Sequence, residues 1–92
     1  MVAKNWRSPL GELDLVVAGE GVLVFCEVKT RRSGPGAPFE AVTPAKQRKI
    51  RALAEAFLET RRLRPSRCRF DVASVCVSDH GPPDVHVFED AF

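Results

Sequence analysis

Four charged side chains stand inside two short apolar runs of this 92-residue chain: Glu12, Asp14, Glu27 and Lys29, within residues 11–30 of sequence GELDLVVAGEGVLVFCEVKT. Two carboxylates and a lysine are the ingredients of metal-assisted hydrolysis. A hard divalent cation such as Mg²⁺ takes oxygen ligands from one or two carboxylates and keeps several waters. A neighbouring ammonium can orient one of those waters or help to deprotonate it. Charges alternating with apolar residues also mark the solvent face of a half-exposed sheet, which is the plainer explanation. Against it, residues 22–28 are apolar on both faces until Glu27, so that carboxylate interrupts a strand that reads as buried, and a buried charge is costly unless paired.

The elements that must position these groups follow from local composition. Two runs of strand character around Gly19-Glu20-Gly21 read as a β-hairpin. With an even number of turn residues, Asp14 lies across from Glu27 and Glu12 across from Lys29. All four charges then share one face, and Leu13, Leu15 and Val17 occupy the other. Residues 4–8 form a preceding strand anchored by Trp6 and ended by Pro9. A Gly- and Pro-rich loop over 31–38 begins with Arg31 and Arg32, placed beyond Lys29 where a phosphodiester backbone would pass. Thr43 and Pro44 open a helix over 43–62 as N-cap and first helical residue. Its buried stripe is Ile50, Leu53, Ala54, Phe57 and Leu58. Gln47 falls at the margin of that stripe and Lys46 projects toward it, whereas Arg48, Arg51 and Glu55 face away. Strands over 69–78 and 85–88 complete the chain, with Asp71 near the start of the first. Asp71 reads as a strand-end acid with a structural hydrogen bond or as an outer group of a metal site.

Asp14 followed by Glu27-Val28-Lys29 resembles the Asp…Glu-x-Lys signature of the PD-(D/E)xK nucleases, and Gly11-Glu12-Leu13-Asp14 resembles the form found in archaeal Holliday-junction resolvases. Wider similarity runs through Asn5-Trp6-Arg7, Pro9-Leu10-Gly11-Glu12, Glu27-Val28-Lys29-Thr30-Arg31, Ala41-Val42-Thr43-Pro44-Ala45-Lys46-Gln47, Arg69-Phe70-Asp71-Val72 and Glu89-Asp90-Ala91-Phe92. These segments resemble the YraN-like family of bacterial endonuclease-like proteins over nearly the whole chain. The resemblance implies an α/β fold: a restriction-endonuclease-like mixed sheet of about five strands with one long helix, making a single domain over residues 1–92. It implies Mg²⁺ or Mn²⁺ held by Asp14 and Glu27, with Lys29 and Gln47 beside the metal and Glu12 as a further ligand or the partner of Lys29. Family members generally carry a helix ahead of Asn5-Trp6-Arg7, and related resolvases place a glutamate on it. Both are missing here, and one helix covers only one face of a sheet, so the other face is expected to be buried in a homodimer or by sequence upstream of Met1.

Composition narrows the function classes. Hydrophobic residues at 45% and charged residues at 28% suit a soluble globular protein. No apolar run reaches the length of a membrane span, and Met1-Val2-Ala3-Lys4 lacks the apolar region of a secretory signal, so a cytoplasmic location is expected. Three cysteines, Cys26, Cys68 and Cys76, lack CxxC spacing, and Cys26 and Cys76 read as small core residues. The net charge of +2 is unevenly spread: residues 44–69 hold nine Lys or Arg against two Glu, and residues 70–92 hold five acids and no Lys or Arg. The basic part suits a phosphate-facing surface or a solvated helix face. The expected function is metal-dependent hydrolysis of DNA phosphodiester bonds, with branched DNA suggested by the resolvase resemblance. The alternatives are a non-catalytic nucleic-acid-binding module and a protein-interaction domain, each retaining the nuclease fold.

Overall fold

A computed structural model describes residues 2–32 and 42–92, and shows one five-stranded sheet with one helix packed on it. The strands are β1 (Ala3–Ser8), β2 (Gly11–Gly19), β3 (Val22–Arg32), β4 (Arg67–Val77) and β5 (Asp84–Phe88), in spatial order β1-β2-β3-β4-β5. The helix α1 (Pro44–Arg61) carries the chain from β3 to its parallel neighbour β4, and the other strand pairs are antiparallel. This is the α/β architecture, a mixed five-stranded sheet with one long helix, that the restriction-endonuclease-like resemblance implies. Arg31 and Arg32, expected to open the loop over 31–38, instead end β3, and the rest of that loop and the side chain of Arg32 lie outside the described residues.

The helix begins where its sequence says it should. Thr43 Oγ1 accepts from the Lys46 amide at 3.2 Å, Pro44 opens the first turn, and Arg62 ends the helix in the left-handed region at φ +53°. Ile50, Leu53, Ala54 and Phe57 are buried against the sheet, and Leu58 packs at the edge. Ring contacts run through the core from Trp6 to Phe57 (5.3 Å), Phe57 to Phe25 (6.0 Å), Phe25 to Phe70 (5.5 Å) and Phe70 to Phe92 (5.2 Å). Arg51 is exposed, yet it does not simply face away: its guanidinium lies 4.6 Å over the Phe70 ring and 5.7 Å over Phe92.

The hairpin register is the even one. Gly19 pairs with Val22 around Glu20-Gly21, and the ladder continues through Val17–Val24 to Leu15–Cys26. Strict alternation fails at Asp14. Leu13 and Val16, three positions apart, are both core residues at 3% and 0% exposure. On the neighbouring strand Ala3 and Trp6, also three apart, both pack against that core. The β1–β2 register passes from Lys4–Leu15 to Trp6–Leu13, skipping Asn5 and Asp14, and Asn5 takes φ +51°. A left-handed residue rotates the strand by a step that ordinary extended backbone does not supply, and asparagine is among the few side chains that tolerate it. The expectation that Leu13 shares a face with Leu15 and Val17, opposite Val16, is corrected by this joint kink.

Cys26 and Cys76 lie in strands as expected but are half-buried rather than core residues. Asp71 has the structural role. It is 3% exposed, takes Arg69 Nε and Nη2 at 2.9 and 2.8 Å, and accepts from the Asp90 amide at 3.0 Å. With the Ala91 amide donating to the Phe70 carbonyl at 2.7 Å, these bonds fasten residues 90–92 to the start of β4. No described helix is long and apolar enough to cross a membrane.

Candidate active site

The kink that breaks alternation also frees Asp14 for a lateral bond. Past Leu15–Cys26 the regular β2–β3 ladder stops, and the Asp14 carboxylate takes the place of a backbone acceptor. Its Oδ2 accepts from the Val28 amide at 2.8 Å. The carboxylate therefore lies in the opening between the two strands, and it borders depressions on both sides of the sheet. The expected facing pair Asp14 and Glu27 is not a ladder pair, but both side chains line one cleft.

That cleft, of about 350 Å³, is walled by Glu12, Asp14 and Glu27 from the strands and by Lys46, Lys49, Ile50 and Leu53 from α1. Glu27 Oε1 is paired with Lys46 Nζ at 3.1 Å, its side chain 12% exposed and that of Lys46 48% exposed. A half-exposed ion pair of this kind contributes about 0–1 kcal/mol, so it orients Glu27 more than it stabilises the fold. Glu12 stands opposite Arg7 in β1 and takes its Nε at 3.2 Å. Its partner is thus Arg7 and not Lys29.

An adjoining depression of about 490 Å³ shares Glu27 and Lys46 as its wall and is otherwise lined by Val28, Lys29, Thr30 and Arg31. Lys29 and Arg31 make no ion pair among the described residues, so their charges remain available at the end of β3. Gln47 is turned elsewhere. Its Nε2 donates to the Val42 carbonyl at 2.9 Å, and its side chain lines a separate pocket with Val42, Val72 and the C-terminal segment. The structure thus brings Glu12, Asp14, Glu27 and Lys46 together, places Lys29 and Arg31 next door, and leaves Gln47 hydrogen-bonded to the residues just ahead of α1. Lys49 was not singled out from the sequence. Its signal was the three-residue spacing from Lys46, which puts both on one helix face.

Among the described residues no cluster of three or more His, Cys, Asp or Glu side chains is placed to hold a metal ion. The donors that fit a cation are the two carboxylates. Asp14 has Oδ1 left after bonding Val28, and Glu27 has Oε2 left after pairing with Lys46. Two carboxylates with water completing the shell is an ordinary donor set for Mg²⁺, so these residue types suit such an ion. The same carboxylates act on Cys26. Burial, then the charge of Asp71, and further the charges of Asp14 and Glu27 push its thiol pKa up, which a hydrogen bond with the Ala73 backbone only partly offsets.

Comparison with known proteins identifies the family of the chain. The sequence model of the uncharacterised protein family UPF0102 matches residues 1–75. A UPF0102 protein of Rhodococcus jostii is 50% identical over 94 residues, covering 100% of this chain and 79% of the relative. A UPF0102 protein of Symbiobacterium thermophilum is 44% identical over 93 residues with the same coverage of each. One from Bifidobacterium longum is 46% identical over 95 residues, covering 99% and 76%. The chain belongs to the UPF0102 family, the YraN-like proteins that its Asp14, Glu27-Val28-Lys29 and flanking segments resemble.

Proposed function

We propose that the protein hydrolyses DNA phosphodiester bonds with a divalent cation, Mg²⁺ or Mn²⁺, held by Asp14 and Glu27. The observation that carries this reading is the cleft itself: two carboxylates, each already oriented through one oxygen, the other oxygen having no partner among the described residues. When bound, such an ion acts as a Lewis acid toward a phosphoryl oxygen and makes water a stronger nucleophile. Asp14 is fixed in direction by the Val28 amide, so its remaining oxygen is presented without further ordering. Lys46 holds Glu27 in the same sense. Lys29, without an ion pair among the described residues and lining the same depression as Glu27, supplies positive charge for the attacking water or for the charge that grows on phosphate. Arg31, Arg32 and Lys46 lie on the segments expected to follow the backbone of the nucleic acid. Gln47 acts only if it exchanges its bond to Val42 for one in the cleft.

Cleavage of labelled linear duplex, single-stranded and four-way-junction DNA in Mn²⁺, Mg²⁺ or EDTA tests the reading, with Glu27→Ala and Lys29→Ala run alongside. Metal-dependent cutting that both substitutions abolish supports it and identifies the DNA form, including whether branched DNA is preferred. Equal inactivity of all three folded proteins on every substrate rejects it. A second reading, a nucleic-acid-binding module without catalysis, draws support from Gln47 and Glu27 each having a protein partner. It predicts binding that falls steeply with salt and is indifferent to EDTA.

The face of the sheet turned from α1 carries exposed Val17, Val77, Val85 and Val87 at 37%, 42%, 57% and 56%. A homodimer that buries this face is proposed on that observation.

A further inference from the structure

Three carboxylates line the cleft, and an anionic strand entering it needs a cation whose charge is not already committed. Arg7 is committed to Glu12 and Lys46 to Glu27. Lys49, on the same helix face as Lys46, lines the cleft and makes no ion pair among the described residues. A lysine serving only as counterion to three neighbouring carboxylates would close on one of them. Lys49 instead lies over the backbone of Gly11. A Cβ built on Gly11 would come 3.1 Å from Lys49 Cε and 3.6 Å from Nζ, and Gly11 has φ +142°, where a side chain is strained. The glycine at the head of β2 thus leaves room for the Lys49 arm and the Leu53 side chain, and Lys49 lines the cleft together with Glu12 and Asp14.

We propose that Lys49, seated on Gly11, is the cleft's ligand for a phosphate of the substrate strand. The assignment rests on the nucleic-acid reading above and names a contact that reading leaves open. Lys49 contributes binding and placement of the strand, while the carboxylates and Lys29 remain the groups beside the scissile bond.

The test is binding of fluorescently labelled single- and double-stranded oligonucleotides in EDTA, where cleavage does not intervene, read by anisotropy at several salt concentrations. Lys49→Met keeps the aliphatic stem over Gly11 and removes the charge. It is expected to weaken binding alike on all sequences and to lower the slope of log affinity against log salt by about 1. Lys49→Arg is expected to restore the parental slope. Gly11→Ala, its folding checked by circular dichroism, should weaken binding less than Lys49→Met and keep the parental slope, because the new methyl shifts the arm by only a few tenths of an ångström and leaves its charge in place. A parental slope in Lys49→Met, with Lys29→Met reduced, would overturn the Lys49 assignment while leaving the cleft reading in place. No salt-dependent binding by the parent protein to either oligonucleotide would also overturn the Lys49 assignment, and the cleavage assay decides the cleft reading separately.

Discussion

Asp14 has a structural bond and a proposed chemical role, and two substitutions separate them. The Val28 amide donates to Asp14 Oδ2 at 2.8 Å in a part-buried position, where the β2–β3 ladder has already stopped. Asp14→Ala leaves that amide without its acceptor, and an unsatisfied buried donor costs about 1–3 kcal/mol. Because the site is only part-buried and water can reach it, the lower half applies, about 1–2 kcal/mol. For a domain of this size 1 kcal/mol is about 4–8 °C in Tm, so Asp14→Ala should melt roughly 5–15 °C below the parent. Asp14→Asn keeps a carbonyl oxygen for the amide and loses only the charge, and should stay within about 0.5 kcal/mol of the parent. Both substitutions should nevertheless abolish metal-dependent cleavage, because neither leaves a carboxylate for the cation. Calorimetry and the cleavage assay on the same preparations check this. Asp14→Asn cutting DNA at the parental rate would refute the chemical role, and Asp14→Asn melting as low as Asp14→Ala would refute the hydrogen-bond account of stability.

Burial by itself would raise the Asp71 pKa, but the Arg69 hydrogen bonds, the Asp90 amide and the Arg69 charge together bring it below the ordinary aspartate value. A lowered folded-state pKa gives stability that is fully present above the unfolded value near 4 and is lost as pH falls through the folded value. Acid titration of the parent should therefore show a loss below about pH 4 that is much reduced in Asp71→Asn, and identical acid profiles would refute the assignment. Phe57, with 0% exposure and edge contacts to Trp6 and Phe25, should cost about 3–5 kcal/mol on replacement by alanine, measured by urea unfolding. Lys46→Met removes the contact that orients Glu27, so half-maximal cleavage should need more Mn²⁺ while stability moves by no more than about 1 kcal/mol; a lower Mn²⁺ requirement would show that Lys46 competes with the cation instead of orienting its ligand. For the sheet face turned from α1, light scattering should report a dimer that Val87→Lys dissociates, and a parent protein that stays monomeric at high concentration would remove the dimer.

Much of this protein is set by short-range chemistry that the sequence displays directly. Thr43-Pro44 and the apolar stripe from Ile50 to Phe57 define α1, and the two residues between Gly19 and Val22 fix the hairpin register. The Glu27-Val28-Lys29 motif with Asp14 places the family and the neighbourhood of the site. These features depend on residues a few positions apart, so local periodicity and capping suffice to read them. What only the tertiary structure decides is how partners are shared. Alternation alone puts Leu13 opposite Val16, but the left-handed Asn5 on the next strand turns both strands at Asp14 and sends its carboxylate sideways to Val28. Charge pattern alone offers Glu12 to Lys29, but pairing with β1 brings up Arg7 first. Gln47 meets the Val42 carbonyl before it meets the carboxylates, and Lys49 reaches the cleft over Gly11, where a Cβ would crowd its arm. Each outcome is a competition between groups near and far in the chain, and packing, which the chain order does not display, determines which partner is nearest.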